Sequence, residues 1–492
     1  DGAVVVDNFD LSQLLYQDFV GSVSVNAKIK GVGFDANTAN INVDGTISAA
    51  EINGYNYSNV KVNGVLAAKK FDGKLKAADP NLALDFDGTI DFAGESPLFN
   101  VKAKLDYINA KALHFTQDSI VGSALMDLNF TGSNIDNFLG SAYIYNMNLV
   151  RDSTRLNIDS IQLISKMNGE EKQLIFKTNE VAAEVAGNFS IMELPNSAQM
   201  FLSYYLPQYV KQPARVNDNQ SLRFNVSVNN TDDILSLFSK SIRVAPQSYL
   251  SGVMNMQQQQ LEFSASVPYF LLGDTRFNDI QISSKGNYEG FTLEAMANGI
   301  SSGTNDLAST VQFQTNIFRD TAKFQLLTTT PTSIGSAELN GIAYAHNDSF
   351  TFNILPSELY LNQSRWEIPS DNNIVFANEH VAISNLVFQS GLQSISINAS
   401  GADAAANNAT VAIKNFDIAS LKNIIGFEEN YIEGRINGTV KIASLLKDQL
   451  VDFDVAANSL RIDKDTLGDA GAVGQYDVAK ALLTLDKSSG LT

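Results

Sequence analysis

The sequence predicts an all-β chain laid out as an antiparallel meander. Three observations carry that expectation: apolar and polar residues alternate along most of its length, Asn-Gly and Asp-Gly pairs punctuate the runs, and helical spacing is confined to short stretches. Alternation is the strongest. Val23, Val25, Ala27 and Ile29 are separated by Ser24, Asn26 and Lys28, and Phe99, Val101, Ala103 and Leu105 by Asn100, Lys102 and Lys104. The same step of two recurs in Leu82-Leu84-Phe86, Val181-Ala183-Val185, Phe224-Val226-Val228, Phe263-Ala265-Val267, Ile395-Ile397-Ala399 and Phe453-Val455. Successive side chains on a strand point to opposite faces, so each run has one apolar and one polar face.

The punctuation comes next. Asp44-Gly45, Asn53-Gly54, Asn63-Gly64, Asp72-Gly73, Asp87-Gly88, Asn168-Gly169 and Asn437-Gly438 are pairs that supply the positive φ of two-residue hairpin turns. Each is therefore expected at a turn. One helix is expected after Glu193-Leu194-Pro195, where Ala198, Phe201, Leu202, Tyr205 and Leu206 fall three or four apart before Pro207 stops the run. Shorter helical turns are expected at Asp10 to Leu15, Asp232 to Phe238 and Asp417 to Ile425, each opening near an Asp that caps backbone N–H groups. Two of these belong to a loose repeat: Asn8-Phe9-Asp10-Leu11 is echoed by Asn415-Phe416-Asp417-Ile418, each followed by a strand-like run. Recurrence without linkers suggests stacked β units. No composition shift marks a clean boundary. A working division is 1–192 and 246–492 as repeating β parts, with 193–245 as a helix-containing insertion and strands.

Composition narrows the function. The chain has 492 residues with 34 Lys+Arg and 53 Asp+Glu, a formal charge of −19. It lacks the basic footprint that a nucleic-acid partner needs. There is no cysteine, which excludes disulfides, thiolate metal sites and cysteine nucleophiles together. His114, His346 and His380 are too far apart for a sequence-local metal motif. Pairs such as Glu170-Glu171, Asp232-Asp233 and Glu428-Glu429 fall in expected turns and read as solvated. No enzyme chemistry, cofactor or metal is expected. The chain opens on Asp1-Gly2-Ala3-Val4 without a starter Met or a targeting signal, and reads as an internal piece of a longer protein.

One-sided strands must hide their apolar face. A sandwich, a closed barrel or propeller, and a long gutter filled by foreign hydrocarbon all give the same alternation, and periodicity leaves all of them open. A resemblance bears on the choice. Phe352-Asn353-Ile354-Leu355-Pro356-Ser357-Glu358-Leu359 is followed by Ser364-Arg365-Trp366-Glu367-Ile368, Val381-Ala382-Ile383-Ser384-Asn385-Leu386 and Ile395-Ser396-Ile397-Asn398. The Asn415-Phe416-Asp417 repeat, Leu460-Arg461-Ile462 and Leu467-Gly468-Asp469 complete the order. This segment, Phe352 to Tyr476, resembles the C-terminal part of the TamB family in the AsmA-like superfamily, as found in Bacteroidota. The resemblance implies a long curled antiparallel β-sheet, a β-taco or repeating β-groove with a few short helices. It implies a translocation and assembly module protein that crosses the periplasm, is anchored in the inner membrane by a segment outside this fragment, and meets a BamA-like outer-membrane protein. It also implies phospholipid traffic between the membranes, or alternatively a scaffold for outer-membrane β-barrel or autotransporter assembly and protein secretion.

Under that expectation, phospholipid acyl chains are the partner, and the groove-lining candidates are Val25, Leu84, Phe86, Val101, Phe176, Val226, Phe263, Leu293, Phe313, Ile397, Val411 and Val455. An acyl chain kept from water saves about 0.8 kcal/mol per CH₂, so a continuous trough removes most of the barrier to transfer without any chemical step. Tyr143, Tyr145, Tyr204, Tyr205 and Tyr209 are candidates for a rim or for ordinary edge packing. The Pro195 to Leu206 helix is a candidate cover.

Overall fold

The computed structural model describes residues 1–10, 20–33, 38–152, 154–229, 241–330, 334–346, 348–361, 363–377, 380–401, 403, 406–421, 432–486 and 489–491. It is all-β. Among these residues lie 35 strands, the helix Leu194–Tyr205 and the 3-10 turn Ile418–Leu421. Two units divide the chain: Asp1–Leu194 with Asp218–Gln257, and Pro195–Asn217 with Gln258–Thr492.

The first unit is a plain meander in which each strand pairs antiparallel with the next. It runs from Gly2–Asp10 and Val20–Val32 through Asn40–Ile52, Tyr55–Ala67, Lys70–Asp79, Leu82–Asp91, Leu98–Asn109 and Ile120–Thr131. Leu139–Arg151, Thr154–Asn168, Glu171–Thr178 and Val181–Asn188 follow, and Val181–Asn188 pairs onward with Ser221–Val228 and that strand with Ser248–Asn255. The second unit starts the same way, from Gln260–Leu272 to Ile334–His346. There the ladder forks. One end of Ile334–His346 pairs with Ser349–Ile354 and the other with Ser357–Leu361. The branches rejoin at Val381–Ser390, and the meander continues through Gln393–Ser400, Asn408–Asp417, Ile432–Ala443 and Leu450–Ile462 to Asp465–Asp477.

The glycine pairs correct the sequence expectation. Asn53-Gly54 and Asn168-Gly169 do flank tight turns, but Asp44-Gly45, Asn63-Gly64, Asp72-Gly73, Asp87-Gly88 and Asn437-Gly438 lie inside strands. Gly64 stands opposite Gly73, and Gly73 opposite Gly88. A Cβ on Gly64 would sit 2.9 Å from the Gly73 Cα, and one on Gly88 2.7 Å from the Val101 Cα. Neighbouring backbones approach too closely on that side to admit any side chain. These glycines are a crease that bends the sheet, and their Cα hydrogens face the same way as Leu84 and Phe86. The strand glycines therefore lie on the apolar face.

The Asn-Phe-Asp repeat marks a different device. Asn8 and Asn415 have left-handed φ of 54° and 52°, each at a register shift in its ladder. The exposed N–H of each is taken up from the neighbouring strand, by Ser24 Oγ at 2.9 Å and Asn437 Oδ1 at 2.8 Å. Asn385 and Ser459 repeat the arrangement with Asn398 and Asp469. These are β-bulges whose extra residue uses the left-handed region that Asn tolerates.

The expected helix is present, with Pro195 in its first turn, where its missing N–H is harmless. Of the expected short turns, Ile418–Leu421 is a single 3-10 turn. Residues 11–15, 232–238 and 422–425 lie outside the described residues.

Candidate functional site

Residues directly opposite in an antiparallel pair share a face, so following partners across the ladders shows which candidates come together. In the first unit, Val25 and Leu84 lie on one rung, Val6–Val25–Ile47–Val60–Ala77–Leu84–Leu105. Phe86 lies on the next, Val4–Ala27–Gly45–Val62–Leu75–Phe86–Ala103–Met126–Ile144–Ile161. Beyond it runs Gly64–Gly73–Gly88–Val101–Leu128–Ala142–Leu163–Phe176–Ala183–Val226–Leu250, which holds Val101, Phe176 and Val226. The three rungs are adjacent on one face.

The second unit is built alike. Phe263 and Leu293 share the rung Phe263–Ser284–Leu293–Thr315–Phe324, and Phe313 sits on the neighbouring Ala265–Ile282–Ala295–Phe313–Leu326. Ile397 and Val411 share Leu386–Ile397–Val411–Val440–Phe453, with Val455 on the rung beside it. A further rung crosses the fork without a polar residue: Phe291–Ile317–Ala322–Ala343–Phe352–Ile374–Ile383–Ala399–Ala409–Ile442–Val451.

Exposure along these rungs is uneven. Val101 is buried at 4%, Phe176 is exposed at 37%, and the other candidates are half-buried. A closed core would hold nearly all of them below a tenth. The chain exposes 28048 Å², whereas two compact globules of half its mass would together expose roughly 21,000 Å².

The rims of the face are closed. In the first unit the loop after Leu98–Asn109 folds back over it, and Leu113, wholly buried, packs with Tyr57, Val60 and Ala77 against Leu82, Leu84 and Ile108. His114 and Asn53 latch this loop to the Asn53-Gly54 turn: the Asn53 side chain donates to the His114 carbonyl at 3.2 Å, and His114 Nδ1 lies 3.1 Å from the Asn53 carbonyl. Below the latch, Asp79 accepts hydrogen bonds from the Tyr55 hydroxyl (2.6 Å), the Ser58 N–H and hydroxyl (2.9 Å each) and the Asn81 N–H (2.8 Å). Burial pushes the Asp79 carboxyl up, but these donors outweigh it and hold it below the ordinary carboxylate value. At the other rim, Phe92, Phe99, Phe130 and Phe138 form a chain of ring contacts with centroids 4.8–6.1 Å apart. Lys172, also on the apolar face, is buried there, its ammonium donating to the carbonyls of Ile135 at 3.0 Å and Asp136 at 2.7 Å. Burial lowers its pKa, with the Asp136 charge opposing.

In the second unit the helix Leu194–Tyr205 closes one rim. Phe201 and Tyr204 pack on Tyr288, with centroids 5.1 and 4.2 Å apart, and Tyr205 on Phe291 at 5.4 Å. Burial pushes the Tyr205 hydroxyl up to about 12, with Tyr288 adding to the effect. Tyr209 stacks on Phe350 at 5.4 Å. At the fork, Trp366 meets Phe416 with centroids 5.7 Å apart, and both are buried. Here the face is dry core.

Tyr143 and Tyr145 stack with centroids 6.1 Å apart on the opposite, polar face. Ion pairs Lys74–Asp87 (3.3 Å), Lys76–Asp85 (2.9 Å) and Lys102–Asp127 (3.8 Å) run across that side. It also carries an open depression of about 870 Å³ lined by Lys61, Asp44 and these residues. Exposed pairs of this kind form a solvated face. Among the described residues no three His, Asp or Glu converge to hold a metal ion, and no helix is long and apolar enough to cross a membrane. Sequence reasoning missed the glycine crease, Lys172 and the Leu113 cap. The side-by-side glycines of paired strands were the available signal for the first, and nothing local marked the other two. No protein-family model matches the chain, and no curated protein or solved structure is significantly similar to it.

Proposed function

We propose that this chain is part of a lipid conduit: its creased apolar face takes phospholipid acyl chains and lets them pass along the rungs, headgroups toward water. The observation that carries the reading is the set of three adjacent apolar rungs in the first unit, most of whose candidate side chains stay half-exposed on the face that carries the strand glycines. Exposed apolar patches beyond several hundred Å² are rare on soluble proteins and mark a site for another apolar surface. Rims sealed by Leu113, the Phe99–Phe130–Phe138 ring contacts and the helix leave the middle rungs as the path. The charged back face is suited to water. The TamB-like segment from Phe352 to Tyr476 agrees with this role and extends it to a periplasmic protein anchored in the inner membrane, with a BamA-like outer-membrane partner.

The test is lipid content. Protein purified without harsh detergent is expected to carry several phospholipids by native mass spectrometry, and Phe263→Glu is expected to remove lipid while leaving the fold. Lipid-free wild-type protein from a lipid-replete host would overturn the proposal.

A further inference from the structure

We infer that the polar face of the first unit is a second binding site, for a neutral carbohydrate chain, independent of the lipid reading of the apolar side. Its floor is two neighbouring rungs, Asn63–Lys74–Asp87–Lys102–Asp127–Tyr143 and Lys61–Lys76–Asp85–Lys104–Leu125–Tyr145. The open depression of about 870 Å³ lies over them, within the roughly 300–1,000 Å³ of small-ligand sites. Its lining runs from Asp44 to Tyr145 across consecutive strands, from Asn40–Ile52 to Leu139–Arg151. At about 4.8 Å per interstrand step that is roughly 29 Å. A site so long and open suits a chain rather than a compact molecule.

The chemistry of the lining selects that chain. Lys74–Asp87, Lys76–Asp85, Lys102–Asp127 and Lys104–Asp106 pair at 2.9–3.8 Å. The two charged side chains left over in the lining, Lys61 and Asp44, are of opposite sign and have no ion-pair partner among the described residues. Lys61 stands between Thr46 and Lys76, and Asp44 between Lys28 and Asn63. Charges therefore cancel within the depression, in a chain of formal charge −19, and the site itself favours neither a polyanion nor a polycation. It offers donors and acceptors side by side, and a sugar hydroxyl is both at once. At one end Leu125 and Tyr145 stand opposite each other, 38% and 39% exposed. Tyr143 lies beside Tyr145, the two rings inclined by only 6° with centroids 6.1 Å apart. Single exposed apolar residues are ordinary, but these three form a platform bordering a depression. Parallel phenol rings present a flat apolar surface with a polar edge. A pyranose ring is its complement, with an apolar C–H face and hydroxyls around the rim.

Affinity electrophoresis tests this on the whole chain, whose charge of −19 carries it through a native gel. Gels cast with dextran, laminarin, galactomannan or xyloglucan are compared with gels holding polygalacturonate. At least one neutral polymer is expected to retard the protein. Tyr145→Ala is expected to raise the apparent dissociation constant about tenfold. Lys61→Ala, at an exposed side chain with no ion pair to lose, is expected to raise it about fivefold. Lys323→Gln, on the second unit, is expected to leave it unchanged. Should Tyr145→Ala lose its β circular dichroism, Lys61→Ala decides alone. Bound phospholipid plays no part in this readout, so the result stands whether or not the conduit does. Unretarded passage through all four neutral gels overturns the inference. Retardation by polygalacturonate alone, or retardation indifferent to both Tyr145→Ala and Lys61→Ala, overturns it as well.

Discussion

Val101 and Phe176 sit on one rung, on one face, at exposures of 4% and 37%. Placing glutamate at each asks whether that face is a lipid path or a core. At Val101 the carboxylate would be enclosed between Gly88 and Leu128, neither of which offers it a partner. An unpaired buried charge costs several kcal/mol, a large part of a domain's whole stability, and Val101→Glu is expected to unfold the surrounding ladder. At Phe176 about two-thirds of the ring is covered. Its loss removes about 1–2 kcal/mol of apolar burial, and the shorter carboxylate reaches water directly. Phe176→Glu is therefore expected to stay folded, with a modestly lowered urea midpoint, and to lose bound phospholipid. Hydrogen exchange resolved by peptide over 98–188 follows the fold, and native mass spectrometry follows the lipid. If Phe176→Glu opens the same amides as Val101→Glu, the face is a dry core and the trough is wrong. If it stays folded and keeps its full lipid complement, guests do not use this rung.

The crease predicts a polarity of tolerance: Gly73→Val, whose Cβ would press on the Asn63 carbonyl and the Gly64 Cα, is expected to lose at least about 2 kcal/mol by urea titration, whereas Gly335→Ala, with open space around it, should stay within about 0.5 kcal/mol. Asp79→Asn turns an acceptor for four donors into a group with one acceptor oxygen and is expected to cost about 2–3 kcal/mol in the same titration. Because the folded Asp79 pKa lies below its ordinary 3.8, its contribution is complete above that pH and fades as pH falls through the folded value. An acid titration of wild type should show that loss and Asp79→Asn should lack it. Tyr205, raised to about 12, works in the other direction: its contribution is complete below pH 10 and is lost as pH rises toward 12. Tyr205→Phe should therefore flatten the alkaline limb of a thermal stability profile.

The fold was legible because alternation is a property of neighbouring residues, and neighbours are what a sequence displays. Val23 to Ile29 or Phe99 to Leu105 announce a strand and its two faces wherever the strand goes. The glycines misled for the same reason. Asp87-Gly88 looks like a turn in isolation, and only its position opposite Gly73 shows that it serves a close approach between backbones. Asn415 was noticed as part of a repeat, but its left-handed φ and the bond its N–H donates to Asn437 depend on a strand more than twenty residues on. The candidate face followed from parity, so its residues fell on shared rungs. Whether a given rung is wet or dry did not follow. Leu113 covers Leu84 from a distant loop, and Trp366 is buried where two branches rejoin. Both are decided by chain crossings that periodicity does not contain.

The placement of the strand glycines ties these observations together. A two-faced sheet could curl either way, and curling around the charged face would press Lys74, Asp87, Lys102 and Asp127 together while leaving the apolar rungs on the outside. The glycine rung prevents this by removing side-chain volume on the apolar side alone, between Leu84 and Phe86 on one flank and Ile90, Phe99 and Phe130 on the other. On the opposite face the same strands carry Lys74, Lys76, Asp85, Asp87, Lys102 and Asp127, joined in exposed ion pairs that contribute little to stability. Their place is better explained by solubility of a surface that must remain outside. Replacing the rung's glycines by alanine would act on curvature before it acted on hydrophobicity, which separates the shape of the trough from its chemistry.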